Sequence, residues 1–487
     1  MAQNLTDLAK IAILQKTFLQ YNIVSITLKR GLNMRDCKKV QVAVDFSRRK
    51  GKLKKLLHGV NYMPNISSQS VFDFSEEYAE MHFTVARTHD QALNNAGQRV
   101  VDTGLIFGRF DADAGDEKNY FFDATDYLLQ TTLKCGTQIY YRLGTSIEHT
   151  PDEHHFNTRV PADFLQYARI LAGIIRHYNY GWANGFYMNI PVWEIWNEAD
   201  LGGKCWMGTR DEFVDFFCTV LKYLKTEFPD EHIGGPALCG FHEEWFIPIL
   251  ERCKAENIPL DFISWHAYWF EPSALIDESF RMRGLLDRYG FTGTEIHLNE
   301  WHYLETWDGL SRNVNPETFH KVMFGERGMH GCDSACYNAA MFIGWHDSPM
   351  DCACYYGAGF PSKFSAWGFH DQTFALTANY YSMKMIGEIV HEYEDRFEAE
   401  GGNANLWLIP VCDAEKKKGA VLLADYRGGY DAVELKIAGA PTAENFRCRI
   451  LDQENMEMEI PVEFADGKLM LTKKMPVSTM FLVTFDL

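Results

Sequence analysis

Between about residues 58 and 347 the chain repeats one pattern: a short apolar run ending in polar or aromatic residues, a loop, then a segment with helical spacing. Eight such runs can be read: His58–Met63, His82–Arg87, Gln138–Leu143, Pro191 to Asn197-Glu198, His232–Leu238, Asp261–Tyr268, Ile296–His302 and Ala335–Gly344. Alternation of this kind, at intervals of roughly 25–60 residues, fits parallel strands joined by right-handed helical crossovers. Helices are expected from Phe121 to Leu133, Pro161 to Tyr178, Glu243 to Ala255 and Ser279 to Tyr289. Another should start at the capping box Thr209-Arg-Asp-Glu212, where a threonine hydroxyl and a glutamate satisfy the free amides of a first turn. The expected class is α/β, a (β/α)8 TIM barrel over residues 58–395.

The flanks have a different texture. After about Arg396, the runs Leu406–Val411, Ala420–Ala424, Ala432–Lys436 and Met480–Thr484 are short strands between turn signals such as Arg427-Gly-Gly429. Residues 396–487 are therefore expected to form an accessory antiparallel β-sandwich domain. The N-terminal segment, residues 1–57, holds a helix-like stretch at Leu5–Leu19 and an alternating stretch at Gln41–Phe46 that would add strands to that sandwich.

Net charge is −19, which disfavours nucleic acid and anionic membrane as partners. No apolar run reaches the ~18–20 residues of a membrane span, and Met1–Lys10 lacks the apolar core of a secretion signal. The 12 cysteines are scattered, which reads as reduced thiols and a cytoplasmic protein. Cys332-x-x-x-Cys336 and Cys352-Ala-Cys354 lack matching partners for a zinc knuckle, so neither a metal nor a cofactor is expected. A homo-oligomer is left open.

Polar and aromatic residues gather where the strands end, the face on which a (β/α)8 barrel hosts its chemistry. Two carboxylates stand out: Glu198 in Trp193-Glu-Ile-Trp-Asn-Glu198 and Glu300 in Leu298-Asn-Glu-Trp301. On the fourth and seventh barrel strands they would face each other across the mouth. Hydrolysis of a glycosidic bond needs this pair: one acid protonates the leaving oxygen, and a carboxylate about 5–5.5 Å away attacks the anomeric carbon. Asn197 is expected to bond the sugar 2-hydroxyl, and Tyr268 to hold Glu300 ionised. Glu198, set against Trp193 or Trp206, would be the protonated acid. Arg87 would neutralise Glu300 or form a structural pair. His266 and His89 are candidates for hydroxyl binding or for packing, and Trp345 for a stacking floor or a buried rim residue. Glu148 is a third-strand carboxylate within possible reach of a sugar, whereas Asp111 and Asp113 read as loop caps.

These segments, with Phe262-Ile-Ser-Trp-His-Ala-Tyr268, resemble the acid/base, sixth-strand and nucleophile motifs of glycoside hydrolase family 39. That family holds β-xylosidases and α-L-iduronidases within a clan of retaining (β/α)8 hydrolases. The resemblance covers most of residues 58–350 and implies Glu198 as acid/base, Glu300 as nucleophile and a carbohydrate substrate. The sequence departs from it at Ala199, where the clan commonly has proline, and at Asn299.

Absence of a secretion signal favours exo cleavage of small imported glycosides, with the loops around Asp111 and Ser146–Arg159 closing a pocket. A uronic acid substrate would need a positive partner, and Arg142 and Lys204 are the nearest candidates. Two rival classes remain: a metal-dependent barrel hydrolase, because 17 histidines are present, and a catalytically silent carbohydrate-binding protein. The first is weakened because Asp152-Glu-His-His155 is not a His-Glu-x-x-His motif. The second would not require both glutamates.

Overall fold

A computed structural model describes residues 38–64, 73–89, 91, 99–148, 157–307, 310, 315–325, 327–359, 376–473 and 476–487. The expected helix at Leu5–Leu19 and most of the loop Ser146–Arg159 lie outside these residues.

Strand β1 (Lys39–Lys52) precedes the barrel. The barrel strands are β2 (Gly59–Asn61), β3 (Val85–Arg87), β4 (Gln138–Leu143), β5 (Val192–Ile195), β6 (Ile233–Leu238), β7 (Phe262–Trp269), β8 (Glu295–Tyr303) and β9 (Cys352–Tyr355). They close in sequence order, all parallel, with β9 pairing back to β2. Seven of the eight runs read from the sequence fall on barrel strands.

The eighth does not. Ala335–Gly344 lies inside the helix Cys332–Trp345, and the closing strand is the four-residue β9. Every residue of that helix except Gly344 is buried. It is covered by the barrel on one side and by the accessory sheet on the other, contacting β8 and β11 alike. A helix buried all round has no polar stripe, so its apolar run reads like that of a buried strand.

The capping box at Thr209 starts a helix as expected, whereas the helix expected from Ser279 begins earlier, spanning Pro272–Tyr289, and the one expected from Pro161 begins at Phe164. Thr209 accepts from the Glu212 amide, and Glu212 accepts from the Thr209 amide, capping the helix Arg210–Glu227. Asp163 caps Phe164–Tyr180, whose apolar side faces the barrel.

The remaining strands are β10 (Asp395–Glu400), β11 (Leu406–Asp413), β12 (Lys418–Asp425), β13 (Ala432–Ala438), β14 (Glu444–Leu451), β15 (Met458–Ile460), β16 (Phe464–Ala465), β17 (Lys468–Thr472) and β18 (Thr479–Asp486). With β1 they form a ten-stranded sheet in the order β15-β14-β18-β12-β11-β10-β1-β13-β17-β16. It folds over a core of its own that includes Val42, Val44, Leu423, Leu435 and Phe481. The pairing of β1 with β13 is parallel, so the sheet is mixed where an antiparallel one was expected. The N-terminal strand thus lies in the middle of the accessory sheet, between β10 and β13.

The barrel interior is layered. At the N-terminal end it is apolar, with Val85, Tyr140, Val192, Phe262, Cys352 and Cys354. Above this the inward residues become polar, and at the C-terminal mouth they become the candidate site.

Candidate active site

The fully buried Arg87, at the end of β3, organises the polar layer. Its Nε donates to Glu194 Oε2 at 2.7 Å, its Nη1 to Asn61 Oδ1 at 3.0 Å and Glu300 Oε2 at 3.4 Å, and its Nη2 to Asn197 Oδ1 at 2.8 Å. Glu194 also accepts from Ser264 at 2.6 Å and from the Asn299 side-chain amide. Burial alone would push the guanidinium down, but Glu194 and Glu300 outweigh it and hold Arg87 charged.

Asn299 and Glu300 are consecutive, yet both side chains reach the barrel interior. A register shift makes this possible: Leu298 pairs with Trp265 while Glu300 pairs with His266, so Asn299 is an extra residue on β8. Such a bulge re-aims a side chain. Here it points Glu300 at the mouth and sets it beside His266.

Glu300 is gripped on both oxygens. Tyr268 Oη donates to Oε1, while Oε2 faces Arg87, His89 Nε2 at 3.4 Å and His266 Nδ1 at 3.5 Å. Burial tends to raise its pKa, but His266, His89 and Arg87 together pull it well below the usual carboxylate range. Glu300 is therefore ionised at neutral pH.

Glu198 follows β5 in a left-handed conformation (φ 48°, ψ 42°), which an L-residue adopts only when its surroundings enforce it. Its amide donates to Ala237 O at 2.7 Å, and two residues earlier the Trp196 amide donates to Leu143 O at 2.7 Å. The turn is thus pinned to β4 on one side and β6 on the other. The Glu198 carboxylate lies 2.8 Å from His266 Nδ1 and 4.0 Å from the buried Cys205 thiol. The indoles of Trp193 and Trp206 donate to Glu231 and to the Thr209 carbonyl. Oxygens of Glu198 and Glu300 and a nitrogen of His266 all lie within 4.8 Å of one another.

Residues 70–281 match the family model described as glycosyl hydrolases family 39, a stretch that takes in Glu198 and ends before Glu300. A beta-xylosidase of Geobacillus stearothermophilus is 24% identical over 225 residues, 40% of this chain and 44% of that protein. The matched stretch thus spans less than half of that relative. A glucosidase structure from Croceicoccus marinus superposes with TM-score 0.74 at 21% identity, over 92% of this chain and 99% of that one. A GH39 beta-xylosidase structure from Caulobacter crescentus gives 0.64 at 15%, over 92% and 100%. The chain is glycoside hydrolase family 39-like. Its barrel with an accessory sheet is the fold of these structures.

Of the other residues expected at this family 39-like site, Arg87, His89, His266 and Tyr268 contact one or both carboxylates, and Asn197 is held by Arg87. Trp345 does not. It lies at the end of the helix Cys332–Trp345, fully buried, with its ring edge-on to Trp301 at 5.1 Å, so it is a packing residue and not a stacking floor. Glu148 is buried and pairs with Arg99 at 3.1 Å. Arg142 is engaged by Asp102 at 2.8 Å. Asp113 caps its own loop, accepting from the Gly115 amide at 2.8 Å.

Sequence reading passed over Asn61, Glu194 and Asn299. Glu194 had a signal: alternation from the inward Val192 puts it inside the barrel, where a carboxylate needs a buried cation such as Arg87. It also passed over the aromatic wall beside Glu300. Tyr62 and Tyr356 share a hydroxyl–hydroxyl bond of 2.8 Å, and their rings lie 4.9 and 5.1 Å from His89. Trp307, 59% exposed, stands edge-on to Tyr268 at 5.4 Å.

Proposed function

We propose that the chain is a retaining glycoside hydrolase, β-xylosidase-like and exo-acting, with Glu300 as nucleophile and Glu198 as acid/base. The observation that carries this reading is the closeness of the carboxylates: an oxygen of each lies within 4.8 Å of the other, in keeping with the short spacing of a double displacement and not with the wider separation, about 6.5–9.5 Å, of an inverting pair. The ionised state of Glu300 supports the same assignment.

In the first step Glu300 attacks the anomeric carbon and forms a glycosyl ester, while Glu198 gives its proton to the departing oxygen. In the second, Glu198 takes a proton from water as that water attacks the same carbon, and the Glu300 carboxylate leaves. His266 Nδ1, 2.8 Å from Glu198, positions that carboxyl beside Glu300. Asn197 spends its oxygen on Arg87, which leaves Nδ2 to donate to the sugar 2-hydroxyl. Tyr62, Tyr356 and Tyr268 offer apolar ring faces to the sugar.

A panel of nitrophenyl glycosides tests the reading, with xylose, glucose, arabinose, galactose and uronic acid at the sugar position. Wild type should turn over the β-xyloside best, and Glu300→Ala should lose at least about 10³-fold in kcat. Near-normal activity in Glu300→Ala would sink the mechanism. NMR of the first-formed anomer should show retention, and xylo-oligosaccharides should be shortened by single residues. A preference for the β-glucoside is the second reading, favoured by the Croceicoccus marinus glucosidase having the higher of the two structural similarities.

A further inference from the structure

Three groups of metal-type donors occur among the described residues. One is the candidate catalytic trio of Glu198, His266 and Glu300. Another lies near the mouth, where Asp200 already bonds His242 at 2.6 Å and the Cys239 amide at 2.9 Å. The third, His232, Glu295 and His297, sits at the opposite end of the barrel. His232 immediately precedes β6, and Glu295 opens β8, so these residues bracket the start of β7.

The third group is built for convergence. Nε2 of His232 and Nε2 of His297 each lie 3.1 Å from the same oxygen, Glu295 Oε2. Tetrahedral zinc with bonds of about 2.0–2.1 Å requires donor–donor edges of about 3.3 Å, close to these spacings. Both imidazoles are oriented in advance by Phe262 of β7, with ring centroids 5.5 Å from His232 and 4.3 Å from His297, and interplanar angles of 26° and 12°.

The proton arrangement suits a metal as well. His297 Nδ1 lies 3.2 Å from Tyr140 Oη, which is 3.3 Å from Glu194 Oε1. If Nδ1–H donates to the tyrosine oxygen and the tyrosine hydroxyl donates to Glu194, the lone pair of His297 falls on Nε2. An outer partner that fixes the tautomer is the usual support of a metal-ligating histidine. Side-chain exposures of 31% for His232 and 42% for Glu295 leave the fourth coordination position open to water.

We propose that His232 Nε2, His297 Nε2 and Glu295 Oε2 bind one Zn²⁺ at the N-terminal face of the barrel, with water as fourth ligand, clipping β6 to β8 across β7. In this fold the N-terminal face serves stability while the chemistry occupies the other end. The metal is therefore a clip and takes no part in glycoside cleavage.

The full chain, stripped with a chelator and dialysed, is titrated with ZnCl₂ by calorimetry and thermal melting at pH 7.5. One equivalent should bind with Kd below about 10 μM and raise Tm. His232→Ala and Glu295→Gln, both changes at partly exposed positions, should weaken that binding at least tenfold and remove the Tm rise, with turnover kept. Cys239→Ser should bind zinc as wild type does, which separates this site from the group at the mouth. Co²⁺ added to wild type should give the intense visible bands of a four-coordinate ion, a readout that needs no variant. Absence of binding at 0.1 mM zinc (on the order of ten times that Kd), or an equivalent of unchanged affinity in His232→Ala, overturns the proposal. Because the readout is metal binding, its failure is distinct from failure of the glycosidase reading.

Discussion

At the residue scale the site works by holding one carboxylate charged inside a barrel. Glu300 is buried, so its charge is tolerable only because His266, His89 and Arg87 face it and Tyr268 donates to it. Tyr268→Phe removes a hydrogen bond to a charged group, worth about 1.5–3 kcal/mol, so kcat should fall roughly 10- to 100-fold. His89→Phe tests the electrostatics. Glu300 has a depressed folded pKa, so it stays ionised as pH falls until that low value is reached. Removing His89 takes away a lowering influence and raises the pKa. The acid limb of the kcat/KM profile on a nitrophenyl glycoside should therefore move to higher pH, and an unmoved limb would remove His89 from the electrostatics of the site.

At the scale of elements, what the sequence made legible was whatever depends on local pattern. The strand ends carrying Arg87, Asn197, His266, Tyr268 and Glu300 could be read because apolar runs stop there. The cap at Thr209 follows from the free amides of a first helical turn. What could not be read depends on neighbours distant in sequence. The bulge at Asn299 exists only in the pairing of β8 with β7, and the aromatic wall joins Tyr62 to Tyr356 across the closing seam of the barrel. The helix Cys332–Trp345 passed for a strand because the accessory sheet covers the side that would otherwise be polar. Gly344, near the end of that helix, tests this placement. A Cβ added there would lie 2.3 Å from Ile276 Cδ1 and 3.0 Å from the Trp407 ring. In an exposed helix, Gly→Ala gains about 1 kcal/mol, whereas overpacking a seam costs about 1–3 kcal/mol. Gly344→Ala should therefore lower Tm in a thermal melt. A rise would mean that the seam between barrel and sheet is looser than described.

At the scale of the whole molecule, barrel and accessory sheet share one buried cluster. Trp345 and Met341 of the seam helix belong to it, as do Ile409, Val411, Leu422 and Leu482 of the sheet. Arg427, beyond the end of β12, reinforces the join by donating to Asp333 and Tyr303, each at 2.7 Å, and to Glu305. The two parts should therefore melt in a single calorimetric transition. Three fully buried histidines set how that transition responds to pH. Burial is the chief cause lowering the pKa of His58 to about 4 and of His302 and His346 to about 3, each against an ordinary value of 6.5. In the unfolded chain each ring takes up a proton below about pH 6.5, while in the folded chain it stays neutral until pH 3–4. The unfolded state thus binds more protons throughout that window, and stability must fall as pH falls. Each histidine contributes a loss of about 2 kcal/mol by pH 5, and all three as much as about 6 kcal/mol. The depressed pKa of Glu300 acts in the same direction below the carboxylate range. Tm measured from pH 7.5 to 5 should drop steeply. His346→Gln, which keeps a polar side chain that cannot take up a proton, should flatten the slope by about a third. An unchanged slope in that variant would show that His346 is already protonated in the folded chain.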